Sequence, residues 1–298
     1  MSPQGNGEMP PSMKSGRVTK RSSSQPGSTS STRTRSQTKS KSKSESHRAS
    51  PDNENALPLV ERINAMPFAE FVRDYIHPEM LRITVPSTKQ LRQREEEEKG
   101  QEQPREDPTT ADSSTADDTI TYTIDVHCPA TISQEDFEAC FALIEETSAA
   151  DYRSSSIGWS PRKKKEEMRL PPMWYLLLRP PRQDNKETKS GAIAGFLSFM
   201  VTYEDNRQVL YCYEIHLLPA LQGRGLGRKL MAIFEEIGRR IGLEKGMLTV
   251  FRSNQSAIRF YTRLGFGVDE YSPEPKVMRN GKVKEPDYLI LSKDFPNR

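Results

Sequence analysis

Three glycines recur at alternate positions in the segment Gln222-Gly223-Arg224-Gly225-Leu226-Gly227. Without side chains at these positions, backbone N–H groups can converge on a point that a Cβ would otherwise block. The segment runs directly into a predicted helix, whose N-terminus adds partial positive charge. The combination suits a phosphate or pyrophosphate group.

Two better known phosphate-binding loops do not fit this segment. A Walker A loop has four residues between its first glycine and a Gly-Lys-Ser/Thr sequence, and no such sequence follows here. A dinucleotide-binding fingerprint has the spacing G-x-G-x-x-G after the first strand of a βαβ unit. Here the spacing is G-x-G-x-G, and several predicted antiparallel strands precede it. A glycine turn that serves only close packing is the alternative left open.

The elements predicted around this turn place it between a strand and a helix. Alternating or continuous apolar runs predict strands at 120–126, 173–178, 192–203, 209–218, 247–251 and 288–291. The polar segment Glu204-Asp205-Asn206 predicts an antiparallel hairpin between the third and fourth of them. The strand at 247–251 is short and apolar, which is typical of parallel pairing.

Helical spacing of apolar residues predicts the remaining elements. One or two short helices are expected within 53–78, with a break near Pro67. A helix start at Ser133 leads to a helix that ends at about residue 149. Further helices are predicted at 162–169, on the surface because its apolar face is small, and at 221–242 and 254–264. The order predicts an α+β (mixed α/β) domain with a central, mostly antiparallel sheet flanked by helices.

Composition divides the 298 residues into one folded domain and two polar segments. Residues 1–52 contain almost no large apolar side chains and are predicted to be a disordered, basic, Ser-rich tail. The folded domain is predicted to span 53–298, with a disordered acidic insertion at about 86–118. Residues 1–50 carry ten Lys or Arg against Glu8 and Glu45, a net charge of +8. Such an arm suits nucleic acid, an acidic protein surface or an import receptor, and a purely solubilising tail is equally open.

The cysteines and the hydropathy pattern indicate the cellular compartment in which the protein is expected. Cys128, Cys140 and Cys212 are odd in number and form no C-x-x-C pair, which indicates free, mostly buried thiols and no zinc site or disulfide framework. No apolar run approaches the roughly 18 residues of a membrane span, and no apolar signal segment begins the chain. We therefore expect a protein of the cytoplasm and nucleus with no metal and no membrane contact.

The glycine segment resembles a known family. Q-G-R-G-L-G is similar to the Q/R-x-x-G-x-G/A motif of the GNAT acetyltransferases, at the same place between strand and helix. Downstream, Asn254, Ala257, Phe260-Tyr261 and Leu264-Gly265-Phe266 resemble that family's N-x-x-A-x-x-[FY]-Y-x-x-x-G-F segment. The resemblance implies a GNAT fold, acetyl-CoA as the co-substrate, and a hydrogen bond from Asn254 to the pantetheine arm.

Further segments resemble the N-terminal acetyltransferases of type D. They are 152–159 with 163–168, Trp174-Tyr175-Leu176, 209–214 and 287–292. Good similarity covers 119–293 and weak similarity covers 55–85. These enzymes acetylate the α-amino group of histone four and histone two-A tails that begin Ser-Gly-Arg-Gly, so the resemblance implies histone N-terminal tails as partners.

The resemblance also implies roles for individual residues. Glu214 is the expected proton acceptor for the amine, on the strand just before the glycine turn, with Tyr213 and Tyr211 as catalytic neighbours. By alternation Tyr211 and Tyr213 face one side of that strand, and Glu214 shares the other side with Cys212. A bulge or strand twist would bring them together, and the sequence leaves this open.

The expected binding residues fall into two groups. The acetyl-CoA group contains His216, Leu217, Leu218, Gln222, Gly223, Arg224, Gly225, Leu226, Gly227, Arg228, Lys229 and Asn254. The peptide group contains Tyr152, Glu204, Thr249 and Tyr288, with Glu204 pairing an arginine of the substrate. The sequence departs from the type D pattern at Ile157, in place of Trp, and at Thr202, in place of Asp. Many GNAT enzymes keep a Tyr at the position of Tyr261 that protonates the departing CoA thiolate.

Two other functions remain open from the sequence. The same fold could acetylate another amine, such as a lysine side chain or a polyamine. A non-catalytic chromatin-binding protein could use the basic tail to contact DNA.

Overall fold

The computed structural model describes residues 57–87, 119–181 and 192–296. The predicted disordered tail at 1–52 lies outside these residues, as does nearly all of the predicted insertion at 86–118. No helix in the described ranges is long and apolar enough to cross a membrane. All three cysteines are free thiols, and Cys140 and Cys212 are buried, as predicted.

Six α-helices and ten strands occur within the described residues. The helices are α1 (Leu59–Asn64), α2 (Phe68–Tyr75), α3 (Gln134–Ser154), α4 (Pro161–Met168), α5 (Leu226–Ile241) and α6 (Gln255–Arg263). The first five strands are β1 (Arg82–Pro86), β2 (Thr119–His127), β3 (Trp174–Arg179), β4 (Gly195–Glu204) and β5 (Arg207–Leu217). The others are β6 (Lys245–Phe251), β7 (Gly267–Val268), β8 (Lys276–Val277), β9 (Val283–Lys284) and β10 (Tyr288–Asp294).

Eight strands form one twisted sheet in the order β1-β2-β3-β4-β5-β6-β10-β7. Every neighbouring pair is antiparallel except β5 and β6, which are parallel. β8 and β9 form a separate two-stranded ribbon. Asp205 and Asn206 have positive φ at the β4–β5 turn, the conformation that tight hairpins need and that Asp and Asn tolerate. The predicted hairpin and the predicted parallel strand are both confirmed.

The sheet is buried between two helical layers. Helices α1, α2, α5 and α6 cover one face, where Phe71, Leu176, Leu197 and Phe234 belong to the larger apolar core. Helices α3 and α4 cover the other face with a second core. Strand β3 is buried on both sides, which explains its continuous apolar run. The predicted α+β fold with a mostly antiparallel sheet is confirmed.

Several predicted boundaries differ from the observed ones. Strand β1 was not predicted, and it pairs with β2 up to Pro86 and Thr119. Helix α3 begins after Ser133, whose hydroxyl accepts from the Asp136 N–H, and it continues to Ser154. The helix predicted from residue 221 begins only at Leu226, because the preceding glycines have left-handed backbone angles that a right-handed helix excludes.

Candidate active site

A cleft opens where strands β5 and β6 separate. Their parallel pairing ends at Cys212 and Leu248. Beyond that point β5 stays with β4 and β6 stays with β10. The resulting cleft has a volume of about 890 Å³. It is lined by the glycine turn, the second half of β5, the end of β6 and parts of α3 and α6.

A β-bulge in β5 sets which side chains face this cleft. Ser198 of β4 lies opposite Glu214, and Phe199 lies opposite Cys212, so Tyr213 is an extra residue. Before the bulge Cys212 packs into the larger core. After the bulge the alternation is reset, and the Glu214 carboxylate points to the α3 side of the sheet. The expectation that Glu214 and Cys212 share a face is therefore wrong, because the bulge places Glu214 on the face of Tyr211.

The glycine turn has backbone N–H groups that meet no acceptor among the described residues. Gly223 and Gly225 have φ of 75° and 81°, and a Cβ added to either would meet nothing within 4 Å. These glycines are therefore required by backbone conformation, not by crowding. Within the described chain, the N–H groups from 223 to 228 donate to no backbone or side-chain oxygen, whereas the Lys229 N–H donates to the Gly225 carbonyl. The amides at the start of α5 are thus available to an anion.

Most residues of the predicted acetyl-CoA group border the cleft. Those that line it are His216, Leu217, Gln222, Gly223, Gly225, Gly227, Arg228 and Asn254. Leu218, Arg224, Leu226 and Lys229 do not line it, and Leu226 is fully buried in the larger core. The Asn254 side-chain oxygen accepts from the Ala257 N–H and caps α6. This helix-capping bond is by itself a reason for an asparagine at position 254.

Glu214 lies on the cleft wall with both carboxylate oxygens engaged. Lys164 Nζ donates to Glu214 Oε1 at 2.8 Å, and His216 Nε2 lies 2.6 Å from Glu214 Oε2. The Tyr152 hydroxyl lies 3.4 Å from Oε1. Burial raises the pKa of Glu214, but Lys164 and His216 lower it more, and the pKa falls to about 2. The carboxylate is therefore held ionised at neutral pH.

Lys164 is the partner of Glu214 that the sequence did not predict. Helix α4 was expected to be a surface helix, yet the Lys164 side chain is only 5% exposed and also contacts Glu167 and the Tyr152 hydroxyl. Burial opposes its charge, but Glu214, Tyr152 and Glu167 raise the pKa of Lys164 well above its ordinary value. The signal in the sequence was the spacing of Lys164 and Met168, which places both on one helical face.

Thr147 of α3 is a second residue that the sequence did not predict. Its Oγ1 lies 2.6 Å from His216 Nδ1 and 2.7 Å from the Leu143 carbonyl oxygen. The His216 ring also lies 5.6 Å from the Phe196 ring. His216 was expected in the acetyl-CoA group, and its side chain is held at both nitrogens beside Glu214. No pattern around Thr147 distinguishes it from other helical threonines.

The comparisons with known proteins agree with this arrangement. The Acetyltransferase (GNAT) family profile matches residues 143–266. An L-methionine sulfoximine/L-methionine sulfone acetyltransferase from Salmonella typhimurium is 30% identical over 149 residues, which cover 48% of this chain and 84% of the relative. The chain belongs to the GNAT acetyltransferase family.

Two further proteins are similar to this GNAT chain. N-alpha-acetyltransferase 40 from Saccharomyces cerevisiae is 32% identical over 162 residues, which cover 46% of this chain and 54% of the relative. The chain thus spans about half the length of that relative. The crystal structure of Arabidopsis thaliana NAA60 in complex with a bisubstrate analogue is 13% identical, with a TM-score of 0.41, over 58% of this chain and 98% of that one.

The expected peptide-binding residues and the two expected catalytic tyrosines are only partly brought together in this GNAT cleft. Tyr152, Thr249 and Tyr213 line it. Tyr211 lies behind them, with its hydroxyl 2.5 Å from Thr249 Oγ1. Glu204 and Tyr288 do not line the cleft, and Glu204 sits at the β4–β5 hairpin. Tyr261 lines the cleft, and burial raises its pKa well above the ordinary value.

Two sets of polar contacts join α3 and the segment after it to elements later in the chain. The Ser253 hydroxyl donates to Asp151 Oδ1 at 2.7 Å, which links α3 to the turn between β6 and α6. The Ser156 hydroxyl and backbone N–H donate to the Asp287 carboxylate, which links the segment after α3 to the start of β10. These contacts tie α3 and the segment that follows it to the β6–α6 turn and to β10.

Proposed function

We propose that this GNAT protein transfers the acetyl group of acetyl-CoA to the α-amine of a protein N-terminus. The observation that carries the proposal is that the glycine turn and the ionised Glu214 border one cleft. The amides of the turn suit the pyrophosphate of the donor. The carboxylate suits an acceptor that arrives as a cation, since an α-amine has a pKa of about 7.7–8.0 and is largely protonated at neutral pH.

The N-terminal acceptor is supported by the yeast relative, whose name is N-alpha-acetyltransferase 40. Similarity to that relative covers less than half of this chain. The proposed acceptors are the histone four and histone two-A tails that begin Ser-Gly-Arg-Gly. Tyr152, Glu204, Thr249 and Tyr288 are the proposed peptide-binding residues, with Glu214, Tyr213 and Tyr211 as the proposed catalytic ones. Cytoplasm and nucleus are the proposed compartments, supported by the basic composition of residues 1–50.

One mass-spectrometric experiment tests this acceptor. The protein is incubated with acetyl-CoA and a peptide beginning Ser-Gly-Arg-Gly that also contains lysine. Matched peptides begin with Ala or Met, or carry a blocked N-terminus. Free L-methionine sulfone is the fifth acceptor, because the Salmonella relative is named for it.

The proposal predicts acetylation of the Ser-Gly-Arg-Gly peptide at the α-nitrogen alone. We expect no product with the blocked peptide, and a rate lower by about 100-fold in Glu214→Gln. Acetyl groups on lysine Nε, or transfer to the free amino acid in preference to the peptide, would contradict the proposed acceptor.

A further inference from the structure

Lys164 makes three polar contacts from a position outside the cleft. Its side chain is 5% exposed and does not line the cleft. Its Nζ lies 2.8 Å from Glu214 Oε1, 2.8 Å from the Tyr152 hydroxyl oxygen and 3.2 Å from Glu167 Oε1. A protonated lysine has three hydrogens and no lone pair. Three acceptors at these distances therefore match an ammonium whose hydrogens are all engaged.

These contacts connect three elements around the Glu214 carboxylate. Glu214 lies on β5, Tyr152 on α3 and Lys164 on α4. The bond from His216 Nε2 to Glu214 Oε2 joins two residues of the same strand. That bond moves with β5, so it does not fix the carboxylate relative to the helices. The contact with Lys164 does so, across 50 positions of sequence.

Tyr152 is the second cleft residue that Lys164 holds. The Tyr152 ring lies 4.9 Å from the Phe251 ring in an edge-on arrangement, and both residues line the cleft. Lys164 Nζ lies 4.8 Å from the centre of the Tyr152 ring. One buried ammonium thus contacts two side chains of the cleft wall. Because all of its hydrogens are engaged, Lys164 has none to give to a substrate.

We propose that Lys164 is a positioning residue for acetyl transfer, which fixes the Glu214 carboxylate and the Tyr152 hydroxyl at the cleft wall from helix α4. This inference rests on the proposed function and names a residue that acts through Glu214. Without the ammonium, the buried carboxyl favours its neutral form, because an unpaired buried charge is strongly unfavourable. A neutral carboxyl does not attract the ammonium of the acceptor, so the rate falls although Glu214 is still present.

The other titratable groups around this ion pair come from several elements. They are His216 and Cys212 of β5, Tyr152 of α3, Glu167 of α4, Tyr175 of β3 and Tyr261 of α6. Burial raises the pKa of Glu214, and the charge of Lys164 makes the largest contribution that lowers it. Removal of that charge therefore raises the pKa of Glu214 even though His216 remains.

The test compares wild type with Lys164→Met, Glu214→Gln and the double variant that carries both changes. Lys163→Met is the matched control, because Lys163 is exposed on the same helix. The readouts are kcat, KM for both substrates, the affinity for CoA by calorimetry, and the infrared C=O band of a protonated carboxyl. Each rate is divided by the concentration of CoA-binding sites, so that an unfolded fraction does not lower it. Lys164→Gln, which loses the charge but keeps an N–H donor, replaces Lys164→Met if that variant binds too little CoA to assay.

At pH 7 we expect kcat of Lys164→Met to fall about 100-fold, as for Glu214→Gln, and the double variant to fall no further. The CoA affinity of each variant should stay within about threefold of wild type, and Lys163→Met should match wild type.

The infrared band separates this role from a purely structural one. Lys164→Met should show a protonated carboxyl that is absent from wild type and from the double variant. As the pH rises, that band should disappear while kcat recovers relative to Glu214→Gln. An unchanged kcat in Lys164→Met, losses that multiply in the double variant, or a spectrum of Lys164→Met without this band would overturn the role of Lys164.

The ratios between variants are measured with whichever amine the wild type acetylates. A wild type that acetylates only lysine side chains contradicts the proposed acceptor, and the same ratios then test Lys164 with that amine. A wild-type rate in Glu214→Gln contradicts the catalytic role of Glu214 and also overturns the role of Lys164, which acts through it. A wild type that transfers to no amine contradicts both proposals. The comparison of single and double variants therefore tests Lys164 separately from the identity of the acceptor.

Discussion

At the scale of single residues, the buried ion pair of Lys164 and Glu214 determines the electrostatics of the cleft. Each side chain is less than one tenth exposed, and their contact is 2.8 Å long. Two buried charges stabilise each other against the cost of desolvation, but either one alone is strongly unfavourable. The buried Lys164 ammonium on α4 therefore keeps the Glu214 carboxylate on β5 negatively charged at the cleft.

Replacement of Lys164 by methionine tests this pairing. We expect Lys164→Met to lower the free energy of unfolding by about 3–5 kcal/mol at pH 7, because Glu214 remains buried without its cation. The neighbouring exposed residue Lys163 gives a matched control. Lys163→Met should change the free energy of unfolding by less than about 0.5 kcal/mol. Urea denaturation measures both.

The same measurement has a defined pH dependence. The folded-state pKa of Glu214, about 2, lies below its ordinary value of 4.5. The stabilisation from this group is therefore complete above about pH 4.5 and is lost as the pH falls towards 2. The difference between wild type and Lys164→Met should shrink over this window. A difference that is constant from pH 7 to pH 3, or no greater than that of Lys163→Met, would contradict the account.

The sequence predicted some of these residues and missed others for a physical reason. Glu214 and the glycine turn lie on adjacent elements, so their chemistry is visible in one stretch of sequence. Lys164 and Thr147 meet their partners only through tertiary packing, since Lys164 lies 50 positions before Glu214 and Thr147 lies 69 positions before His216. A local pattern can place Lys164 on the same helical face as Met168, but it does not identify the distant residue that a side chain contacts.

At the scale of elements, strand β5 determines the shape of the site. It is parallel to β6 only up to Cys212, and the bulge at Tyr213 follows immediately. The bulge turns Glu214 and His216 towards α3, and the separation of the strands gives access to them. Alternation in the sequence predicted the strand but could not locate the bulge, because an extra residue changes no local propensity.

Close packing between β4 and β5 fixes the segment that carries His216. A Cβ added to Gly195 would lie 2.4 Å from the His216 carbonyl oxygen. We expect Gly195→Ala to lower the free energy of unfolding by about 1–3 kcal/mol, because the backbone of β5 must move. In strand β7, a Cβ on Gly267 would meet nothing within 4 Å, and Gly267→Ala is the matched control. Thermal and urea unfolding measure the stability of both variants. Equal stability of Gly195→Ala and Gly267→Ala would contradict the prediction.

At the scale of the whole molecule, the order of elements determined most of the architecture. Antiparallel strands followed by a strand-helix-strand-helix-strand segment predict a mixed sheet with helices on both faces, and this is observed. Strand β1 was missed because residues 82–86 precede a polar stretch and lack a long alternating pattern. The surface prediction for α4 failed because a buried, paired lysine is indistinguishable from a solvated one in composition.

The central claim for the whole molecule is that the glycine turn binds the pyrophosphate of CoA. Gly225→Asp and Gly225→Asn add side chains of the same shape at a position with open space, and both types tolerate its positive φ. The two variants differ by one negative charge. The Asp carboxylate repels a bound phosphate, whereas its position at the N-terminus of α5 stabilises the helix, so weaker CoA binding would not reflect a loss of folding.

Isothermal calorimetry of CoA binding to these two variants and wild type tests that claim most directly. We expect Gly225→Asp to weaken the affinity for CoA by at least about 30-fold relative to Gly225→Asn, with no loss of thermal stability. Equal affinities for CoA in the Asp and Asn variants would contradict the assignment of this turn to the donor.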